Sequence, residues 1–184
     1  AIVQVVLTVA LALAAGLLIY APVEAMIVCF SVSILRRFSG GAHADSFGLC
    51  TGITVVVCTL FAFVATRLAI YTTPLILTLI TLAVYAFAYA SIYRYAPVDS
   101  PNKPIRTEQK RLRMRRGCYR IFAAYVLLQS LLIIASLWYP AFRSLAISLI
   151  LGVAWQAFTL TNAGNILLSK LNVLPDHKRK EDSK

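Results

Sequence analysis

The chain has 184 residues, 60% of them hydrophobic and 14% charged, with a mean hydropathy of +0.78. Soluble domains carry roughly 45–50% apolar and about 25% charged residues, and a single domain of this size could not cover so much apolar surface. A soluble enzyme and a disordered chain are both excluded, which leaves a polytopic membrane protein. The net charge of +11, from 18 Lys and Arg against 7 Asp and Glu, would suggest nucleic acid in a soluble protein. Here it reads as the positive-inside bias of membrane insertion.

Ile2–Tyr20 is 19 residues without a formal charge, about enough to cross a ~30 Å hydrocarbon core. Pro22–Leu35 has 14 residues and carries Glu24, so a short span, a re-entrant piece and a helix continuing into the basic segment are all open. Phe47–Thr66, Leu68–Tyr93, Cys118–Tyr139 and Ser144–Leu168 are each 20 residues or longer. The expected fold class is all-α: a polytopic membrane helix bundle of about six hydrophobic segments in one domain over residues 1–184. Within it lie a candidate catalytic loop and span start at 36–50, a basic loop at 94–117 and a basic tail at 170–184. No internal repeat is visible. The chain starts at Ala1 rather than Met, consistent with a missing N-terminal piece; the first apolar run is too long for a signal peptide and lacks a basic start.

Arg36 and Arg37 follow the second segment, nine Lys or Arg lie between Arg94 and Arg120, and five lie from Lys170 onward. Only Arg67 and Arg143 remain, so placing the first three groups in the cytoplasm puts sixteen basic residues inside and two outside. Both chain ends then lie inside. Segregation to one side of a membrane chain argues against nucleic-acid binding.

The first polar stretch, Arg36-Arg37-Phe38-Ser39-Gly40-Gly41-Ala42-His43-Ala44-Asp45-Ser46-Phe47-Gly48-Leu49-Cys50, holds the only His outside the tail. A Cys nucleophile needs a base for its proton and cations to hold the thiolate; His43, Arg36 and Arg37 could supply them. The seven residues from His43 to Cys50 would span about 10 Å in a straight helix, far beyond the ~3 Å of a hydrogen bond. The chain must therefore bend for the two to meet, and Gly40, Gly41 and Gly48 permit bending. Equally open is the plainer reading: a Gly-Gly turn, an interfacial His and a Cys that only packs. The other cysteines, Cys29, Cys58 and Cys118, form no C-x-x-C pair with it or with each other, and no disulfide framework is expected. Asp45, Asp99 and Asn102 could each orient the base, and each is equally a loop or turn former.

The run Arg36-Arg37-Phe38-Ser39-Gly40-Gly41-Ala42-His43, with Cys50 seven residues on, resembles the signature of the AgrB family. So does the second stretch, Tyr95-Ala96-Pro97-Val98-Asp99-Ser100-Pro101-Asn102-Lys103-Pro104-Ile105. Motif order, spans and basic segments all agree, so the resemblance covers nearly the whole chain. It departs in lacking the further N-terminal amphipathic stretch usual in the family. The resemblance implies a membrane cysteine endopeptidase of bacterial quorum sensing in the cell membrane, with Cys50 as nucleophile, His43 as base and Arg36 and Gly41 in support. It implies an AgrD-type precursor peptide as substrate, cut to leave an acyl-thioester that closes into a thiolactone, and a homodimer as the active unit.

Lys110-Arg111-Leu112-Arg113-Met114-Arg115-Arg116 is the densest basic run. It suits anionic lipid headgroups, at about 1 kcal/mol per charge, or an acidic part of the peptide, with Lys110, Arg111, Arg113, Arg115 and Arg116 as contacts. The last span carries Gln156, Thr159, Thr161, Asn162, Gly164 and Asn165, by default polar glue between helices. Asn162 and Asn165 could instead line a peptide groove. A non-enzymatic transporter or channel subunit would need charges buried in spans, and only Glu24 hints at that. Two distant His cannot build an H-E-x-x-H metal site, so no metal or cofactor is expected.

Overall fold

A computed structural model describes residues 2–41, 47–98 and 107–168. All the regular elements among them are helices: α1 (Ile2–Leu18), α2 (Pro22–Ser39), α3 (Phe47–Tyr71), α4 (Pro74–Tyr95), α5 (Glu108–Trp138) and α6 (Phe142–Leu160), with a further short helical piece at 162–168. Four of them, α3 to α6, are long and apolar enough to cross a bilayer. The protein is an all-α membrane bundle.

Of the three readings of the second segment, the continuing helix is the one observed. Pro22 stands in the first turn, where its missing N–H costs nothing. Glu24 lies in that first turn and Arg36 and Arg37 in the last, each with the sign that suits the helix dipole. The 18 residues rise about 27 Å, so Arg36 to Ser39 belong to a helix end and not to a loop.

Three other boundaries differ from the hydropathy reading. Helix α3 runs through Arg67, whose guanidinium sits 5.1 Å from the Phe63 ring centroid, and ends at Tyr71. The break is set by Pro74 and by Thr73, whose hydroxyl accepts from Ile76 N–H at 3.3 Å. Helix α5 begins at Glu108, so the densest basic run is helical. Its 31 residues rise about 46 Å, more than a ~30 Å core needs, and the surplus is the basic N-terminal third. Helix α6 stops at Leu160: Thr161 is extended, and its hydroxyl donates to Phe158 C=O at 2.7 Å and accepts from Gly164 N–H at 3.2 Å. That closes one helix and caps the next, so 144–168 is two pieces.

Helix α6 is the hub. It packs on α2, α3, α4 and α5 and is mostly buried, whereas the other three long helices leave most of their apolar residues on the outside. Small residues allow this: a Cβ on Gly152 would run into the Ser31 hydroxyl, so α2 and α6 meet at the distance a glycine permits. Leu35, Leu77, Tyr85, Ile92, Leu149 and Val153 fill the main core, and Ala12, Val28, Cys29, Val32 and Cys58 fill a second one between α1, α2 and α3. Leu60, Leu75, Leu79, Leu82, Leu127 and Leu131 stand exposed on the outer faces, as lipid contact requires. Polar groups turn inward: Tyr125 donates to Ser31 C=O at 3.0 Å and Gln129 Nε2 to Thr81 Oγ1 at 3.1 Å. Glu24 accepts from the Ser144 hydroxyl at 2.7 Å, a hydrogen-bonded place beside the start of α6.

Candidate active site

The C-terminal turn of α2, the first turn of α3, the ends of α4 and α6 and the basic part of α5 gather at one end of the bundle. Two contacts lock them there. The backbone N–H of Val98, past α4, donates to Ser39 C=O at 2.9 Å. A Cβ on Gly117 of α5 would overlap the Phe38 ring, so the ring seats directly on the α5 backbone. The two sequence motifs that carry the family resemblance are thus joined, backbone to backbone.

Cys50 lies in the first turn of α3 and Arg36 in the last turn of α2. They line one cleft together with Ile53, Thr54, Trp155, Thr159 and Leu168. Its free volume is about 10 Å³, close to the least that admits one water molecule. Cys50 is half-buried, whereas Cys29, Cys58 and Cys118 are wholly buried at 0% exposure. It is therefore the one cysteine of the four with access to a reactant. Arg36 lies just beyond the apolar part of α2. Burial pushes its pKa down, while its Coulombic interaction with Cys50 acts the other way. Guanidinium remains charged at any physiological pH, so a fixed positive charge stands beside this thiol.

Gly40 and Gly41 form the exit from α2, with φ of 70° and 127°, values that exclude ordinary side chains. Gly40 N–H closes the helix by donating to Arg36 C=O at 3.0 Å. A Cβ on Gly41 would come to 3.3 Å from Thr159 Oγ1 and 3.5 Å from Gln156 Nε2. Gln156 Nε2 donates to Ser39 Oγ at 3.0 Å and to Gly40 C=O at 2.9 Å. Of the sequence candidates, Arg36, Gly41 and Cys50 are brought to this end together, whereas His43, Asp45, Asp99 and Asn102 lie outside the described residues. Asn162 is exposed and Asn165 partly so, on the short piece beyond the α6 break. Lys110, Arg111, Arg113, Arg115 and Arg116 are all exposed on α5. Arg111 and Arg115 line a second cleft of about 350 Å³ with Arg94, Glu108 and Tyr93, in which the Arg115 guanidinium lies 5.7 Å from the Tyr93 ring centroid.

The AgrB (accessory gene regulator B) family profile matches residues 1–160. The chain belongs to the AgrB family. It is 38% identical over 176 residues to an AgrB-like protein of Clostridium perfringens strain SM101, covering 94% of this chain and 82% of that protein. It is 39% identical over 178 residues to AgrB-like protein 2 of Clostridium perfringens strain 13, with the same coverage. No solved structure gives a significant match. AgrB membership makes the chain a quorum-sensing accessory protein, and its composition and helices make it a membrane protein.

Trp155, Gln156, Thr159 and Leu168 are parts of this end of the AgrB bundle that hydropathy did not assign to a site. Gln156 and Thr159 carried a usable signal, since two polar residues three apart in a span share a helix face. Trp155 and Leu168 carried none; both look like ordinary apolar residues of a membrane helix.

Proposed function

We propose that this chain is a membrane cysteine endopeptidase that cuts an AgrD-type precursor peptide and promotes its cyclisation. The observation that carries this reading is the shared cleft of Cys50 and Arg36, holding the one accessible cysteine beside a fixed positive charge. His43 removes the Cys50 proton, and the thiolate attacks the scissile carbonyl. The C–N bond then breaks, His43 returns the proton to the departing amine, and the C-terminal part leaves. The remainder stays on Cys50 as an acyl-thioester. A thiol within the peptide attacks that carbonyl, the bond to Cys50 breaks, and a thiolactone ring closes.

Thioester formation from an amide runs uphill, whereas exchange of one thioester for another is close to neutral. The intermediate must therefore be kept from water, which a site at the membrane edge favours. The tethered thiol arrives at high effective concentration, which favours closure over hydrolysis. Asp45 or Asp99 orients His43. The basic face of α5, from Lys110 to Arg116, holds anionic lipid and the acidic part of the precursor, and Asn162 and Asn165 border the peptide's path. The basic end of the bundle faces the cytoplasm, with both chain ends on that side, and the active unit is a homodimer.

The test is reconstitution in liposomes with an AgrD-type precursor, read by mass spectrometry for the C-terminal fragment and the acyl adduct. Cleavage and adduct are expected in the parent protein and lost in Cys50→Ala and His43→Ala. Unchanged cleavage by Cys50→Ala would remove the nucleophile assignment.

A further inference from the structure

Gln156 is completely buried at 0% exposure, yet its side-chain hydrogen bonds do not serve its own helix. Nε2 reaches across to α2, donating to Ser39 Oγ and Gly40 C=O, while Oε1 has no partner among the described residues. The carbonyls at a helix C-terminus have no partner within the helix, and here one of the groups at that exit is met by a side chain from α6. The neighbours of Gln156 along α6, Trp155 and Thr159, line the Cys50 cleft. One helix therefore both lines the Cys50 cleft and grips the exit of α2. The second grip on that exit, Val98 N–H to Ser39 C=O, is made by backbone, while Gly40 C=O accepts from Gln156 Nε2 and, at 3.2 Å, from the Ser39 hydroxyl.

We propose that Gln156 is a positioning residue for the Cys50 reaction. It fixes the exit of α2, at Ser39 and Gly40, relative to Cys50. The inference rests on the reading of Cys50 and His43 as nucleophile and base. A generic packing role is the competing explanation, and the fold contains its control. Gln129 is a second buried amide, 1% exposed, with its Nε2 bonded to Thr81 Oγ1 and its Oε1 likewise unpartnered, but it lies within the α4–α5 contact and lines neither the cleft nor the α2 exit.

The experiment compares Gln156→Leu, Gln156→Glu and Gln129→Leu in the full chain, with Cys29, Cys58 and Cys118 replaced by Ala in every protein. Two quantities are read: precursor cleavage in liposomes, and the rate of Cys50 alkylation by iodoacetamide at neutral pH, which needs no peptide. Loss of register between α2 and Cys50 lowers kcat at least tenfold with KM little changed, and slows alkylation as His43→Ala does. Gln156→Glu, which has lost the donor, behaves as Gln156→Leu, and Gln129→Leu changes neither quantity beyond twofold. Parental alkylation and kcat in Gln156→Leu, with cleavage still dependent on Cys50, would overturn this inference alone. Equal losses in Gln129→Leu and Gln156→Leu would overturn it in favour of generic packing. Cleavage by a Cys50→Ala protein would overturn it together with the nucleophile reading.

Discussion

Gly40 stands against the carbonyl of Val98 so closely that a Cβ would collide with it, and this contact joins two stretches of chain almost sixty residues apart. The Gly40 φ of 70° and the Val98 N–H bond to Ser39 C=O belong to the same junction. Local backbone need and tertiary contact thus coincide at one residue.

Gly40→Ala is expected to destabilise this junction by about 1–3 kcal/mol, since strain at a positive φ adds to the collision. Thermal unfolding in detergent should show it, and precursor cleavage should fall more than tenfold at temperatures where the protein is still folded. Parental activity and melting would mean that the junction is not needed.

The seat of Phe38 on Gly117 predicts a size dependence. Gly117→Ala should cost about 1–3 kcal/mol, the usual range for overpacking. Adding Phe38→Ala should recover part of that loss, because the smaller side chain leaves room for the new methyl. A double variant as unstable as the two single losses summed would show the contact to be unimportant.

Arg36 lies in the Cys50 cleft, whereas Arg37 is exposed beside it. Arg36→Gln should slow alkylation of Cys50 at neutral pH about fivefold, the equivalent of about 1 kcal/mol. Arg37→Gln should leave it within twofold. Equal effects of the two would point to a diffuse field and away from a specific neighbour.

The exposed arginines of α5 predict a salt-sensitive binding step. Arg111→Glu and Arg115→Glu should each raise the KM for an acidic precursor about fivefold or more, at about 1 kcal/mol per charge, and added salt should narrow the difference. Titration of precursor in neutral-lipid vesicles separates this effect from attraction to anionic headgroups. KM values unaffected by either reversal would assign the face to lipid alone.

Sidedness is read by labelling a cysteine-free background with a membrane-impermeant maleimide in intact cells. Thr73→Cys and Tyr139→Cys should react directly, and Lys110→Cys only after permeabilisation. Labelling of Lys110→Cys in intact cells would reverse the orientation.

The sequence by itself determined that this is a helical membrane protein, where its main apolar segments lie, which segments are basic and which family motifs it carries. Those properties follow from transfer free energies and residue identities that sum locally along the chain. It could not place the ends of the helices, because Arg67 can remain exposed within α3 and Thr161 can break α6 through hydrogen bonds that hydropathy does not contain. Arg36 and Cys50 were legible as candidates from residue type, but their shared cleft depends on α6 supplying Trp155 and Thr159. Gln156 read as polar glue between helices, and only packing decided what it joins. A buried amide must satisfy its donors wherever a neighbouring helix offers acceptors, and here those acceptors are Ser39 Oγ and Gly40 C=O, more than a hundred residues away in the chain.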